Sequence, residues 1–338
     1  MMKWYPVELH THSIHSDGDF TVEELVRAAK RDGYAALALT DHNTSSGVNT
    51  FCAQAKAQGI VPVRGLEWTT YWGHMVVLEE QGYTDWRGVR PEQIDQAIRS
   101  IHAHHGIVGI AHPYSLSDPV NTGYHWAFQI EDWSQVDYLE VWSRNYAPYR
   151  IQSQRAFELW ENLLNQGYHI TAMTGRDWHR DDRLPCCYTW IGVENVLTED
   201  SIVNAIRNGR VCLSAGPLLT MKVIQDAQDF FPGECALEEM LCVKMEIDFR
   251  TLPEVWDREQ IVPREIRLIC DGETVKKFPV FQEKGKMEAA HFFEAAGRWL
   301  RADLYGDYYG VPDCRIAVTN PVYLKNASYS ISKKSPHI

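Results

Sequence analysis

Over the first two-thirds of the chain, short apolar runs alternate with longer segments of helical period. YAALALTDH (34–42), IVPVRGLEWTT (60–70), GIVGIAHPY (106–114), YLEVWS (138–143) and YHITAMTGRDWH (168–179) read as strands. TVEELVRAAKRDG (21–33), PEQIDQAIRSIHAHHG (91–106) and YRIQSQRAFELWENLLNQG (149–167) read as helices. Thr21 with Glu24 forms a capping box, and Gly33, Gly59, Gly106 and Gly167 stand where helices end. This alternation predicts βαβ units in a parallel sheet or barrel. Near SAGPLL (214–219) the pattern changes to alternating β-rich stretches, among them CVKMEIDF, RWLRADLYG and CRIAVTNPVYL. The predicted organisation is an α/β domain over 1–213, a small all-β sandwich over 214–326 and a loose polar tail over 327–338.

Length and charge narrow the function. A chain of 338 residues exceeds the usual single-core limit of roughly 250–300, which fits two domains. No apolar run approaches the about 20 residues that cross a bilayer, and the first residues lack a secretory signal, so the expectation is a cytoplasmic protein away from membranes. The eight cysteines are scattered without a CxxC pair and read as reduced thiols. A net charge of −12 disfavours a nucleic-acid groove but not a small anionic substrate, because bound cations reverse the sign locally.

Candidate chemistry gathers at the ends of the strands. VELHTHSIHSDG carries His10, His12, His15 and Asp17; TDH gives Asp41 and His42; GLEW gives Glu67, followed by His74; AHP gives His112; LEVW gives Glu140; GRDWH gives Asp177 and His179. In parallel α/β barrels the C-terminal edge of the strands is where sites form. His-x-His in an extended segment places both imidazoles on one face, and the same period places Asp177 and His179 together. One such pair is a weak signal, and a lone buried histidine is usually a satisfied core residue. Five strand ends armed at one edge are different: unpaired burial would cost several kcal/mol per charge, and a metal cluster removes that cost. His102, His104 and His105, in the helix at 91–106, read as solvent-facing.

HTHSIHSDG, LTDHNT, GLEWTT with GHM, AHPY and the late DWH resemble, in order and character, the PHP (polymerase and histidinol phosphatase) metallohydrolases. ALTDHNT, LEVWS and VTNPVYL look like the CehA/McbA-like branch, in which a β domain follows. The resemblance implies a distorted seven-stranded (β/α) barrel with two or three divalent metals, Zn, Mn or Fe, at the strand C-termini. It assigns His10, His12, Glu67 and Asp177 to a first metal. Glu67, His74 and His112 fall to a second, and Asp17, His42 and His179 to a third, with His15 an alternative or aid to Asp17. It implies a metal-dependent phosphoesterase that hydrolyses a small phosphorylated molecule with a metal-bridging hydroxide. His179 is then a candidate for protonating the leaving group, and Arg144, Arg176 and Arg180 for holding phosphate. Arg176 departs from the small residue usual before the late aspartate; it either meets an anionic substrate or narrows the pocket. Glu140 is placed to orient a ligand histidine. Two other readings stay open: a carbamate, ester or amide hydrolase using the same metals, and a metal-stabilised scaffold whose β domain binds a ligand.

Overall fold

A computed structural model describes residues 2–116, 123–237, 240–251, 256–281, 285–294 and 297–325. Helix α1 (Val22–Arg31) starts at the capping box, with Thr21 accepting from the Glu24 amide and Glu24 from the Thr21 amide. Its Val22, Leu25, Val26 and Ala29 recur at helical spacing and are buried. Strands β1 (Lys3–Glu8), β2 (Ala36–Leu39) and β3 (Val61–Thr70) pair in parallel, with α2 (Val48–Ala57) in the second crossover. Only two residues separate β3 from β4 (Gly73–Leu78), which is too short for a parallel crossover, so β4 runs antiparallel to β3. It is also antiparallel to β5 (Ile107–Ile110), reached through α3 (Ile94–Ala103). Strands β6 (Tyr138–Ser143) and β7 (Thr171–Gly175) return to parallel pairing, joined by α4 (Ile151–Asn165).

The path β1 to β7 meets itself at one point beyond the strand ends. Thr11 and Trp178 form an isolated parallel bridge, in which the His12 amide donates to Trp178 O at 3.0 Å and the Trp178 amide to His10 O at 3.1 Å. Strand β8 (Tyr188–Val193), followed by α5 (Glu199–Arg207), lies antiparallel on the other side of β1. The pattern reading missed α2, α5, β4 and β8.

Beyond β8 the large sheet continues through β9 (Val211–Ser214). The rest of the chain supplies β10 (Leu218–Gln225), β11 (Gln228–Phe230), β12 (Cys235–Leu237), β13 (Met240–Asp248), β14 (Ile261–Cys270), β15 (Glu273–Pro279), β16 (Lys286–Glu294), β17 (Trp299–Tyr308), β18 (Val311–Thr319) and β19 (Val322–Lys325). Strands β11-β10-β13-β16 form a separate antiparallel sheet. Its inward residues share one core with Leu300, Ala302 and Leu304 of β17, giving two layers. The ladder Thr319–Cys212, Val318–Leu213 and Ala317–Ser214 carries the large sheet across residue 214. A buried ion cluster ties the parts further. Arg301 donates to Asp303 at 2.7 and 3.0 Å and to Glu161 of α4 at 2.7 Å, and Arg315 donates to Asp303 at 2.8 Å. No disulfide is formed among the described residues. The expected tail, 327–338, lies outside the described residues. His102 and His104 are not simply solvent-facing: they pair with Asp137 at 2.9 Å and Glu80 at 3.2 Å, and only His105 of the three is exposed.

Candidate metal centre

The fold brings all nine predicted ligands to one edge. His74 gets there by the reversal of β4: it stands at that strand's beginning, which lies beside the ends of its parallel neighbours. Glu67 is the hub. Its carboxylate lies 3.2 Å from His10 Nε2, 3.5 Å from His12 Nε2, 2.7 Å from His42 Nδ1, 3.1 Å from His74 Nδ1 and 3.2 Å from His112 Nε2. Asp177 adds Oδ1 at 3.5 Å from His10 and 3.3 Å from His12. Asp17 Oδ1 sits 3.3 Å from His42 Nε2 and 3.2 Å from His179 Nε2.

Three groups offer ligand atoms within 4.8 Å of one another: His10, His12, Glu67 and Asp177; His42, Glu67 and His74; and His12, Asp17, His42 and His179. The first matches the sequence expectation. The second has His42 where His112 was expected, although His112 also reaches Glu67. The third gains His12. His15 belongs to none of these groups; its Nδ1 lies 2.8 Å from Ser46 Oγ, on the α2 side. Asp41 is structural: it accepts from the Ser13 amide and from the Ser13 and Ser16 hydroxyls, pinning the loop after β1.

The residues fit a divalent metal. His10 Nε2, His12 Nε2, His74 Nε2 and Glu67 Oε2 are fully buried and make no well-formed hydrogen bond. Buried polar atoms are rarely left so. The outer partners fix the tautomers. His10 Nδ1 donates to Glu140 at 2.7 Å, and His179 Nδ1 to the Asp177 carbonyl at 2.8 Å, so both rings turn Nε2 toward the site. His179 thus has Nδ1 engaged by that carbonyl, while its Nε2 faces Asp17 Oδ1 at 3.2 Å.

Glu140 also accepts from the His112 amide at 2.9 Å, holding two ligand residues with one carboxylate. That proximity requires Gly175, where a Cβ would lie 2.1 Å from Glu140 Oε1. Gly175→Ala is therefore expected to weaken metal binding about 10- to 100-fold in a metal titration, as outer-partner losses do. Glu140→Gln should do the same, and unchanged affinity in both would sever Glu140 from the site.

Two ligands sit on strained backbone, His112 at φ 30° and Asp177 at φ 51°. Left-handed non-glycine positions cost roughly 1–3 kcal/mol each and cluster at functional sites. Asp177 and His179 still lie together, Oδ1 to Nδ1 at 3.5 Å, although the strand itself does not reach them. β7 ends at Gly175, and the two side chains serve different groups.

The electrostatics favour cations. Burial works against protonation of His10, but Glu140 and Glu67 outweigh it and raise its pKa well above the usual histidine value. His42 is likewise opposed by burial and pushed up to about 10 by Asp17 and Glu67. Burial keeps His12 and His74 neutral. Burial opposes the Glu67 charge too, yet the imidazoles, His10 foremost, hold its carboxyl well below the ordinary range. A metal must displace the protons of His10 and His42. Below pH 10 metal uptake should therefore release about one to two protons, and affinity should rise with pH. Titration calorimetry in two buffers of different ionisation heat reads this directly, and proton-neutral binding would contradict it.

Beside the ligands opens a cleft of about 420 Å³, lined among others by Asp17, Tyr124, Arg144, Arg150, His179 and Arg180. Arg144 donates to Asp177 Oδ2 at 3.1 and 3.0 Å and stands 5.0 Å from the Tyr124 ring, still a third exposed. Arg176 corrects an expectation. Its guanidinium is buried, paired with Asp32 at 3.1 Å and Asp182 at 3.3 Å and laid over Trp178 at 3.7 Å. Both terminal nitrogens are spent on carboxylates, so it braces the loop after β7 at the wall of the cleft.

Sequence reading missed Tyr124, which stacks on His112 at 5.2 Å, and Arg150. Tyr124 had no pattern to mark it. Arg150 had one: it caps the N-terminus of α4, whose first turn holds no acid, and a cation there opposes the helix dipole.

Residues 8–139 match the PHP domain. Over 71 residues the chain is 38% identical to the 3',5'-nucleoside bisphosphate phosphatase of Chromobacterium violaceum, covering 21% of this chain and 25% of that protein. Over 65 residues it is 42% identical to the 5'-3' exoribonuclease of Haemophilus influenzae, covering 19% and 24%. Over 78 residues it is 41% identical to the error-prone DNA polymerase of Symbiobacterium thermophilum, covering 22% and 7%. The chain thus spans at most a quarter of the length of these relatives. Among solved structures, a two-domain protein from Bacteroides vulgatus containing a predicted PHP-like metal-dependent phosphoesterase shares the fold, with a TM-score of 0.53 at 14% identity over 95% of this chain and 96% of that one. The histidines and carboxylates at the strand ends and the matched segment agree: residues 8–139 of this chain match a PHP domain, and the fold is shared with a PHP-like neighbour.

Proposed function

We propose that this chain is a metal-dependent phosphoesterase that hydrolyses a small phosphorylated molecule at a di- or trinuclear site. The observation that carries the reading is the convergence of five imidazoles on the buried Glu67 carboxylate, flanked by Asp177 and Asp17. In this reading the path β1–β7 is the distorted seven-stranded barrel and residues 1–213 form the hydrolase domain. Residues 214–326 form a β domain packed beside it. The domain's Trp256, Trp299 and Tyr308 are buried, which supports a packing role over a ligand platform.

His10, His12, Glu67 and Asp177 would hold one metal, Glu67 with His74, His42 and His112 a second, and Asp17, His42 and His179 a third. Mixed imidazole and carboxylate donors suit Zn, Mn or Fe. Bound there, such ions supply Lewis-acid polarisation of the phosphoryl group and activation of water. The chain's own residues do the rest. Glu140 and the Asp177 carbonyl fix ring orientation. Arg144 steadies Asp177 and lines the cleft, and Arg150 lines the same cleft and donates to the Asn145 carbonyl. Two guanidinium groups beside the ligands favour phosphate over a neutral carbonyl substrate. Asp17, Asp19 and Asp182 on the walls disfavour a polyanionic strand.

Comparing p-nitrophenyl phosphate with naphthyl esters and carbamates tests the reading. Turnover of the phosphate, with Arg150→Ala raising KM about 10-fold and leaving kcat nearly unchanged, is the expected result. Turnover of carbamates alone would move the reaction to carbonyl chemistry.

A further inference from the structure

We infer that β16 is the interface of a two-fold dimer of this chain, formed by antiparallel β16–β16 pairing about Ala290. Among the described residues β16 ends the four-stranded sheet and pairs only with β13, through nine consecutive residue pairs without a register shift. An edge of that length without a strand partner is a template for another strand, and proteins ordinarily blunt such edges.

The other edges among the described residues are covered or blunted: at β7 the Ala172 amide donates to Asn320 and the Thr174 amide to Thr189. β15 faces a register irregularity, carries Lys276 and Lys277 side by side and ends at Pro279. β11 and β12 are three residues long. β16 has no proline and no bulge, and its charges, Lys286, Glu288 and Glu294, all point away from the core layer.

Its inner side is unfinished. On β13, Leu241, Val243, Met245 and Ile247 are fully buried; their partners Phe293, His291, Ala289 and Met287 on β16 are only half-buried. On the outer side Phe292 is 71% exposed. The apolar layer stops at β16 with its flank open.

The strand is complementary to itself. About Ala290, antiparallel pairing sets Lys286 opposite Glu294 at both ends, Met287 opposite Phe293 and Ala289 opposite His291. A centre one residue away places Lys286 opposite Phe292 and loses both charge pairs. Lys286 already bonds Glu246 at 2.5 Å in its own chain, and Glu294 of the second copy would engage its remaining donors. Nine paired residues give about eight to ten inter-strand hydrogen bonds, the number a standard interface carries. Self-complementarity selects a second copy over an unrelated extended segment.

Light scattering on the full chain at micromolar concentration tests this, with A290K and A290E as probes. Ala290 is exposed on the outer face, so both variants should keep the melting profile and metal content. The wild type is expected at twice the chain mass. Each variant alone places like charges against each other at the two-fold centre and should fall to the chain mass. An equimolar mixture of the two should regain the doubled mass as a heterodimer. A wild type at single-chain mass, a dimer indifferent to A290K, or a mixture that stays monomeric would each overturn the inference.

Discussion

Glu67→Gln should strip the bound metals and lower kcat/KM on a phosphate ester by at least about 10³-fold, since metal centres supply several kcal/mol of transition-state stabilisation. The expectation follows from position. Glu67 is the only carboxylate among the described residues that lies within 3.5 Å of five imidazoles, and it is fully buried. The amide keeps the shape but removes the charge on which two of the ligand groups depend. The imidazoles left behind can stay neutral, so the fold should survive, as circular dichroism would show. Glu67→Asp separates charge from reach: with the carboxylate withdrawn by one methylene, partial metal occupancy and partial activity are expected. A Glu67→Gln protein that kept its metals and its rate would dismantle the hub.

Asp303→Ala should act on stability alone. Asp303 is fully buried and accepts from Arg301, itself fully buried, and from Arg315. Removing one partner of a buried pair costs about 3–5 kcal/mol, and Glu161 alone would then face the buried Arg301 charge. The thermal midpoint should drop by roughly 10 °C. Metal content and activity of the folded protein should not change. The exposed pair of Arg264 and Asp307, at 2.6 Å, is the contrast: Arg264→Ala should cost under about 1 kcal/mol. Equal losses at the two positions would show that burial is not what gives the Arg301 cluster its weight.

Local signals in the sequence survived folding where the physics is local. ALAL at 36–39 and IVGI at 107–110 became fully buried strands, and the Thr21–Glu24 box capped its helix. The strand-end histidines and carboxylates converged because successive parallel strands end at one edge. What the pattern could not carry was direction and partner choice. The reversal of β4 follows from a two-residue connection, yet nothing in GHMVVL says which way it runs. Arg176 looked like a substrate contact because Asp32, more than 140 residues away, was invisible as its partner. The β9–β18 ladder likewise joins segments about a hundred residues apart, so a boundary at 214 read from composition crosses a continuous sheet. Tyr124 lies in an aperiodic stretch, where only the fold could place it beside His112.

The most direct test of the central claim is elemental analysis of the protein purified without tag or chelator, repeated after reconstitution with Zn, Mn or Fe. The account predicts two or three equivalents of transition metal per chain, lost in Glu67→Gln. A wild-type protein that holds no metal even after reconstitution would contradict it.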